Sequence, residues 1–527
     1  MTGFYPQRRG ITSSLRALVR MPAGQVAARL AHSLRGAQNE PTRTTIEDTT
    51  IEVPTTLVGP APEGVVDGRG AVALFGAAPV DPLVAGWDVV GDPQWREALH
   101  GHGWLMRMAP ERAAATIHSW IAQHVQGVGW EPYATSLRML SWIGWLARGG
   151  EASDAATIGG SIAAQCDHLR RHVETHLGGH HVWTNLAAMA AAALTLRGPG
   201  APVVEPSVGR FAACVAAQLD SDGVHVERTP TYHCMLAEQL AIVTDLAASR
   251  GLPHANALRA QLGRMLAALP AFTHPDGDVA LWGDSRRGAG ANPMALCRRM
   301  GIEMPLQGHA DAPQAGFARR SFGPWTLLFN RGDIPRHAAH VHADAGSIEL
   351  SLEDERMVVD AGTSAYAAGH DRAYARSTRA HNTVTVGLDH PDLHELWDRH
   401  EIGARARIER GTFGAERLSA CVVGYGSAST HHRMIEGDAS SIRITDTVVP
   451  HGPAVVRYFL PATLRVHPQG SGLRVETPRG RQFTIESSSG PPRIEAAVGW
   501  HGPGARAPRL CLTIGVQPAG STVTFRL

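Results

Sequence analysis

Lysine is absent from this sequence. All 49 Lys+Arg residues among its 527 are arginine. That excludes lysine Schiff-base chemistry and the phosphate-loop lysine of nucleotide-binding enzymes. Cysteine is sparse. Cys166, Cys214, Cys234, Cys297, Cys421 and Cys511 are scattered and form no CxxC pair. Neither a disulfide framework nor a thiolate metal site is expected, and the six read as small buried hydrophobes. No stretch approaches the roughly 18 uninterrupted apolar residues of a membrane span. An excess of charge is missing too: the formal net charge is +1. No global field then draws the chain to nucleic acid or to an anionic membrane, and a polyanionic ligand would need a local patch of Arg and His. The first 36 residues, MTGFYPQRRGITSSLRALVRMPAGQVAARLAHSLRG, hold no apolar core of a secretory signal. They read as an Arg-rich amphipathic helix, and a cytoplasmic location is the expectation.

What is present is globular composition, 43% hydrophobic and 18% charged. The length implies two large domains or three small ones. The 28 histidines form a large pool of candidate ligands and acid–base groups.

Hydrophobic spacing divides the chain. Residues 1–60 are a basic helix and extension. Across 61–312 apolar residues recur at helical spacing, over 130–146, 155–169, 183–196, 208–219, 234–248 and 255–269, with Gly/Pro loops between. This predicts paired antiparallel helices in a bundle or toroid. Across 313–527 the segments are short and β-branched or alternating, from 325–329, 347–352 and 356–360 onward to 522–525. That predicts an antiparallel β-sandwich. Helices followed by strands, without βαβ alternation, exclude a doubly wound or TIM-barrel fold.

The densest polar constellation is HVHADAGSIEL, residues 340–350. On a strand, His340, His342 and Asp344 share one face. Two imidazoles and a carboxylate are costly to bury without partners, and a cation would satisfy them. Asp360 (MVVDAGTSAY) and His381 (STRAHNTVTV) each border an apolar strand and can converge with His342. A His/Asp/His set without sulfur suits zinc; the alternative is a solvated His-rich turn.

Three further clusters stand out. GGHHVWTN places His180 and His181 at the first turn of a helix, where an anion such as a substrate carboxylate is favoured. Equally, His180 reads as a cap and Asn185 as a bond to a neighbouring helix. In ERTPTYH, proline sets Tyr232 and His233 at the start of a helix. A tyrosine there can serve as a base, or be a core residue with a satisfied hydroxyl. Tyr366, Arg372, Tyr374, Arg376 and Arg379 fall between Asp360 and His381. They read either as a loop holding an acidic sugar, with a second tyrosine as acid, or as a solvated loop. The segment from His274 to Ser285 reads as turn chemistry with a structural role.

Taken together, HVHADAGSIEL, VVDAGTSAY and RSTRAHNTVTV resemble the heparinase II/III family of polysaccharide lyases. WEPYATSLRMLSWI, GGHHVWTNLAA, DGVHVERTPTYH and DGDVALWGDS extend the likeness more loosely over roughly residues 130–390. The resemblance implies an (α/α) toroid followed by a β-sandwich, and a lyase acting on a uronate-containing glycan by β-elimination. It implies a structural zinc at His342, Asp360 and His381, an acid–base role for His340, and Tyr232 as a catalytic tyrosine. Tyr366 or Tyr374 would be the second tyrosine. The family's carboxylate-neutralising Asn-His pair falls on His180-His181, with His in place of Asn at 180. Asn185, His233, Arg372 and Arg376 are the candidate substrate-binding residues. The partners expected are an acidic polysaccharide or oligosaccharide and, as an option, a second copy of the chain. The resemblance also admits a periplasmic location. Two other readings stand beside it: a zinc-dependent hydrolase built on the HxHxD cluster, and a non-catalytic glycan-binding or polysaccharide-assembly protein on a lyase scaffold.

Overall fold

A computed structural model describes residues 23–35, 41–123, 127, 129–149, 154–333, 339–387, 395–396, 402–403, 406–424, 429–450 and 452–527. The basic segment ahead of Ala23 lies outside them; the helix that follows it is Ala23–Arg35. The chain divides into two compact units. One comprises the described residues within 23–219 and 234–265; the other comprises those within 220–233 and 266–527. No helix among the described residues is long and apolar enough to cross a membrane.

The first unit is helical. Pro132–Ala147, Ala155–His172, Gly179–Thr195, Val204–Gln218 and His254–Ala268 form where the apolar spacing predicts them. Proline opens Pro132–Ala147, where its missing N–H is no loss and its fixed φ suits the first turn. A helical glycine permits close packing: a Cβ on Gly144 would meet Gly59 Cα at 2.8 Å. The interior holds Trp120, Trp130 and Trp142, all essentially without exposure. The Arg138 guanidinium lies 3.7 Å over the Trp120 ring and donates to the Gly129 and His100 carbonyls, so its buried donors are satisfied.

The second unit is built on antiparallel sheets. Five strands run in sequence order: Ala310–Ala312, Phe317–Phe322, Trp325–Asn330, Ser347–Leu352 and Glu355–Val358. An eight-stranded sheet contains Thr430–Gly437 beside Ser441–Val449, and a four-stranded sheet contains Val384–Val386, Ala454–Pro461, Arg506–Gly515 and Arg493–Trp500. Their inward residues, among them Trp325, Leu350, Val384, Ile444, Val456 and Phe525, form one continuous core. The expected sandwich is therefore present.

Two buried polar staples tie the segment 274–287 to this sheet. His274 bonds Ser351 Oγ at 2.8 Å through Nδ1 and Glu349 Oε2 at 2.7 Å through Nε2. Arg356 forks onto Asp276 at 2.8 and 2.9 Å. One sequence expectation is corrected here. Residues 340–345 are not a strand but an irregular run of turn and bend ahead of Ser347–Leu352. Their backbone bonds go elsewhere: Ala343 N donates to Arg376 O and Gly346 N to Asn330 O.

Candidate active site

The site residues of the sheet-rich unit begin at a helix start. Pro230 opens Pro230–Ser249, after Arg228 has turned the chain at φ 51°. This puts Tyr232 in the first turn. Its hydroxyl lies 2.9 Å from that of Tyr366, and its ring centroid 4.3 Å from that of His340. His340 and Tyr366 are 5.9 Å apart, centroid to centroid. Of the two candidates for a second tyrosine, the structure brings Tyr366 to Tyr232; Tyr374 packs edge-on against Trp500. Burial pushes the Tyr366 phenol up to about 12, with the Asp284 carboxylate adding, so it keeps its proton at neutral pH.

Asp284 organises this group. It is fully buried and accepts from His340 Nδ1 at 2.8 Å, His342 Nε2 at 2.9 Å and Arg372 Nη2 at 2.9 Å, with Arg372 Nη1 closer still. Burial alone would raise its carboxyl. Arg372 and the two histidines hold it well below the usual range instead. An ionised acceptor here fixes a proton on His340 Nδ1 and on His342 Nε2, leaving the lone pair of His342 on Nδ1. The sequence reading gave the Asp284 segment a structural role only. One signal was there: an acid ending the apolar run VALW, as Asp360 ends MVV.

The metal candidates lie directly behind. His342 is pushed down to about 3 by burial, so its ring is neutral, and its Nδ1 is buried without a hydrogen-bond partner. His381 sits 5.3 Å away between centroids. Its Nδ1 meets both Asp360 oxygens, at 2.8 and 2.9 Å, and Ser347 Oγ also donates to Asp360. His342 and Asp344 line a small cavity of about 20 Å³, room for one water-sized guest. Burial raises the Asp344 carboxyl to about 6. A neutral imidazole with a buried, unused lone pair, a second imidazole and a carboxylate are a donor set that fits zinc. The Asp284–His342 bond supplies the carboxylate that orients such a ligand.

The remaining candidates have structural surroundings. Arg372 is 1% exposed and its guanidinium is taken up by Asp284. Arg376 is buried and donates to Val341 O at 3.4 Å. His233 is buried, accepts from His225 N through Nδ1, and packs edge-on against Phe272.

In the helical unit, Gly178 and Gly179 both take positive φ and deliver His180 and His181 into the first turn of Gly179–Thr195. The two rings stand 4.3 Å apart and flank Tyr133. His181 Nδ1 is 3.3 Å from Glu174 Oε2. Asn185 is buried and bonds Glu174 and Ser136. Sequence reasoning missed Glu174 and Glu97. Burial lifts Glu97 to about 7; His181 opposes this, and Glu174, Glu131 and Glu63 reinforce it.

Residues 304–524 match the family described as "Heparinase II/III-like, C-terminal". No curated protein matches the chain. Among solved structures, a heparinase III is similar over 84% of this chain and 79% of its own, with a TM-score of 0.66 and 14% identity. Another heparinase III gives a TM-score of 0.61 at 15% identity, over 84% of this chain and 80% of that one. The heparan sulfate lyase of Pedobacter heparinus gives 0.53 at 16%, over 87% and 80%. At these identities the likeness is one of fold. The helical region followed by antiparallel sheets is the heparinase III fold, and residues 304–524 are similar to the heparinase II/III-like C-terminal family.

Proposed function

We propose that this chain is a polysaccharide lyase that cleaves a uronate-containing glycan by β-elimination. The observation that carries the reading is the Tyr232–Tyr366 hydroxyl pair at 2.9 Å, with the Tyr232 ring 4.3 Å from an imidazole held by Asp284. β-Elimination needs a base for the proton on the carbon next to the carboxylate, and an acid for the departing glycosidic oxygen. In this reading Tyr232, with His340 beside it, takes the proton. The electron pair of the broken C–H bond forms the ring double bond as the C–O bond breaks. Tyr366, which keeps its proton at neutral pH, supplies one to the leaving oxygen. No water is consumed and the product is unsaturated.

His342, Asp360 and His381 would hold a zinc ion, whose charge would order the chain segments that carry them. The part that the resemblance assigns to His180 and His181, neutralising the uronate carboxylate, is tested separately: His181→Ala should raise KM more than it lowers kcat.

The deciding experiment is a panel of uronate polymers followed by unsaturated-uronate absorbance. The expected result is a product from at least one polymer, with Tyr232→Phe lowering kcat at least about 100-fold. Absence of any unsaturated product from zinc-loaded protein would sink the proposal. Tight oligosaccharide binding without turnover would favour a non-catalytic glycan-binding protein.

A further inference from the structure

The sheet-rich unit contains a second cavity, of about 850 Å³, whose wall includes Arg287, Arg356, Arg479, Arg506, Arg509 and His501. That volume is in the range of small-molecule sites. The carboxylates of the wall are already engaged. Asp276 is forked by Arg356 and also bonds Arg287 at 2.7 Å. Asp354 pairs with Arg479, and Glu355 with Arg481 at 2.6 Å. Arg506 reaches out to Asp371.

Arg509 is different. It stands on the strand Arg506–Gly515 and is only 5% exposed. Its Nε is buried without a hydrogen-bond partner, and Nη1 donates only to the Pro508 carbonyl at 3.3 Å. Among the described residues no carboxylate lies within ion-pair distance of it. Gly499 makes room for it: a Cβ there would stand 3.2 Å from Arg509 Nε. Burial lowers Arg509 to about 10, Glu349 opposes this, and Arg287 and Arg356 add repulsion. It stays cationic at neutral pH. The neighbouring His501 is pushed down to about 4, by burial and then by Arg509, and stays neutral.

A guanidinium buried without an ion-pair partner is costly to a fold and cannot shed its proton. A cavity walled by such a guanidinium has a place for an anion. We propose that this cavity binds an oxoanion, a sulfate, phosphate or carboxylate, through Arg509, with Arg287 on the rim. The inference is independent of the lyase reading, because none of the residues proposed for β-elimination lines the cavity.

The test is thermal unfolding of the full chain in sodium sulfate, with sodium chloride at equal ionic strength as reference, and in a sulfated disaccharide. Wild type should show a saturable rise in midpoint. Arg509→Met should shift the saturating concentration at least about tenfold, while keeping the shallow, non-saturating response common to all proteins in sulfate. Saturation by sulfate itself identifies a free-anion pocket; saturation by the disaccharide alone identifies a sugar-borne group. Should Arg509→Met fail to fold, Arg287→Gln must weaken the saturable response at least about threefold. Identical responses in wild type and variant, or no saturable response to either probe, overturn the proposal.

Discussion

Replacing Asp284 by alanine tests the logic of the site most directly. The carboxylate has no exposure and receives hydrogen bonds from His340, His342 and both terminal nitrogens of Arg372. Arg372 is itself buried, at 1%. Removing the anion leaves a buried guanidinium without its counter-charge, which costs about 3–5 kcal/mol. Asp284→Asn keeps the shape but not the charge, and should cost about 1–3 kcal/mol as charge-assisted bonds become neutral ones. The double variant Asp284→Ala/Arg372→Met removes both charges. It should be less destabilised than the sum of the single changes by at least about 2 kcal/mol. Urea unfolding at pH 7, followed by tryptophan fluorescence, measures these variants and the single change Arg372→Met that closes the cycle. Two further readouts come from the tautomer argument. Without Asp284 the proton of His340 is no longer fixed on Nδ1, so kcat should fall in Asp284→Asn with little change in KM. Additive energies within about 0.5 kcal/mol, or a loss below about 1 kcal/mol for Asp284→Ala, would refute the view of Asp284 as a shared counter-ion.

Glu97 gives a pH prediction for the helical unit. Its carboxyl is raised from 4.5 to about 7, so the stability it contributes is fully present below pH 4.5 and is lost as pH rises through 7. Glu97→Gln should therefore match wild type at pH 5 and exceed it at pH 8, by about 1–2 kcal/mol once solvent screening of this partly buried group is discounted; equal stability at both pH values contradicts this. Metal removal is a second test. Dialysis against a chelator should lower the unfolding midpoint by several degrees, zinc should restore it in wild type, and His342→Ala should bind no zinc by elemental analysis; a chelator-insensitive midpoint together with a metal-free preparation dismisses the ion. Asp446 is the counter-ion of buried Arg433 (2.8 Å) and hydrogen-bonds buried His431 (2.7 Å), so Asp446→Ala should cost about 3–5 kcal/mol in urea unfolding. A cost under about 1 kcal/mol would show the triad to be redundant.

That same triad shows why part of the β-sandwich is not legible in the sequence. Strands such as Ser347–Leu352 and Gln482–Ser487 announce themselves through β-branched alternation. THHRMIEG does not, yet Thr430–Gly437 is a strand in the middle of the eight-stranded sheet. Its inward positions are His431 and Arg433, polar by type and buried in fact, because Asp446 faces Arg433 across the ladder from Ser441–Val449. Phe317–Phe322 hides for a similar reason. Arg319 and Arg320 are buried, the first against the Pro305 and Gln307 carbonyls, the second against Asp311. Hydrophobic periodicity reads residue types, whereas burial depends on partners supplied by other strands. The helices carry no such ambiguity: alanine-rich faces at helical spacing predict 155–169 and 255–269, and the structure has Ala155–His172 and His254–Ala268.

The site divides along the same line. Residues whose partners are close in sequence, or whose type is rare on an apolar strand, could be singled out: His340, His342, Asp360 and His381 all border apolar strands. Asp284 could not be paired with them, because its bonds span 56, 58 and 88 residues. Its segment reads as a turn with a structural role, and the staples His274–Glu349 and Asp276–Arg356 perform that role. Yet the same staples deliver a carboxylate to the one point where it can fix the proton of His340 and orient the lone pair of His342. In this protein, holding the loop in place and setting the protonation of the site are one act, carried out by one buried anion. A division of residues into structural and catalytic ones, made from local pattern, must fail at such a position, because the chemistry there is a property of the convergence and not of any segment alone.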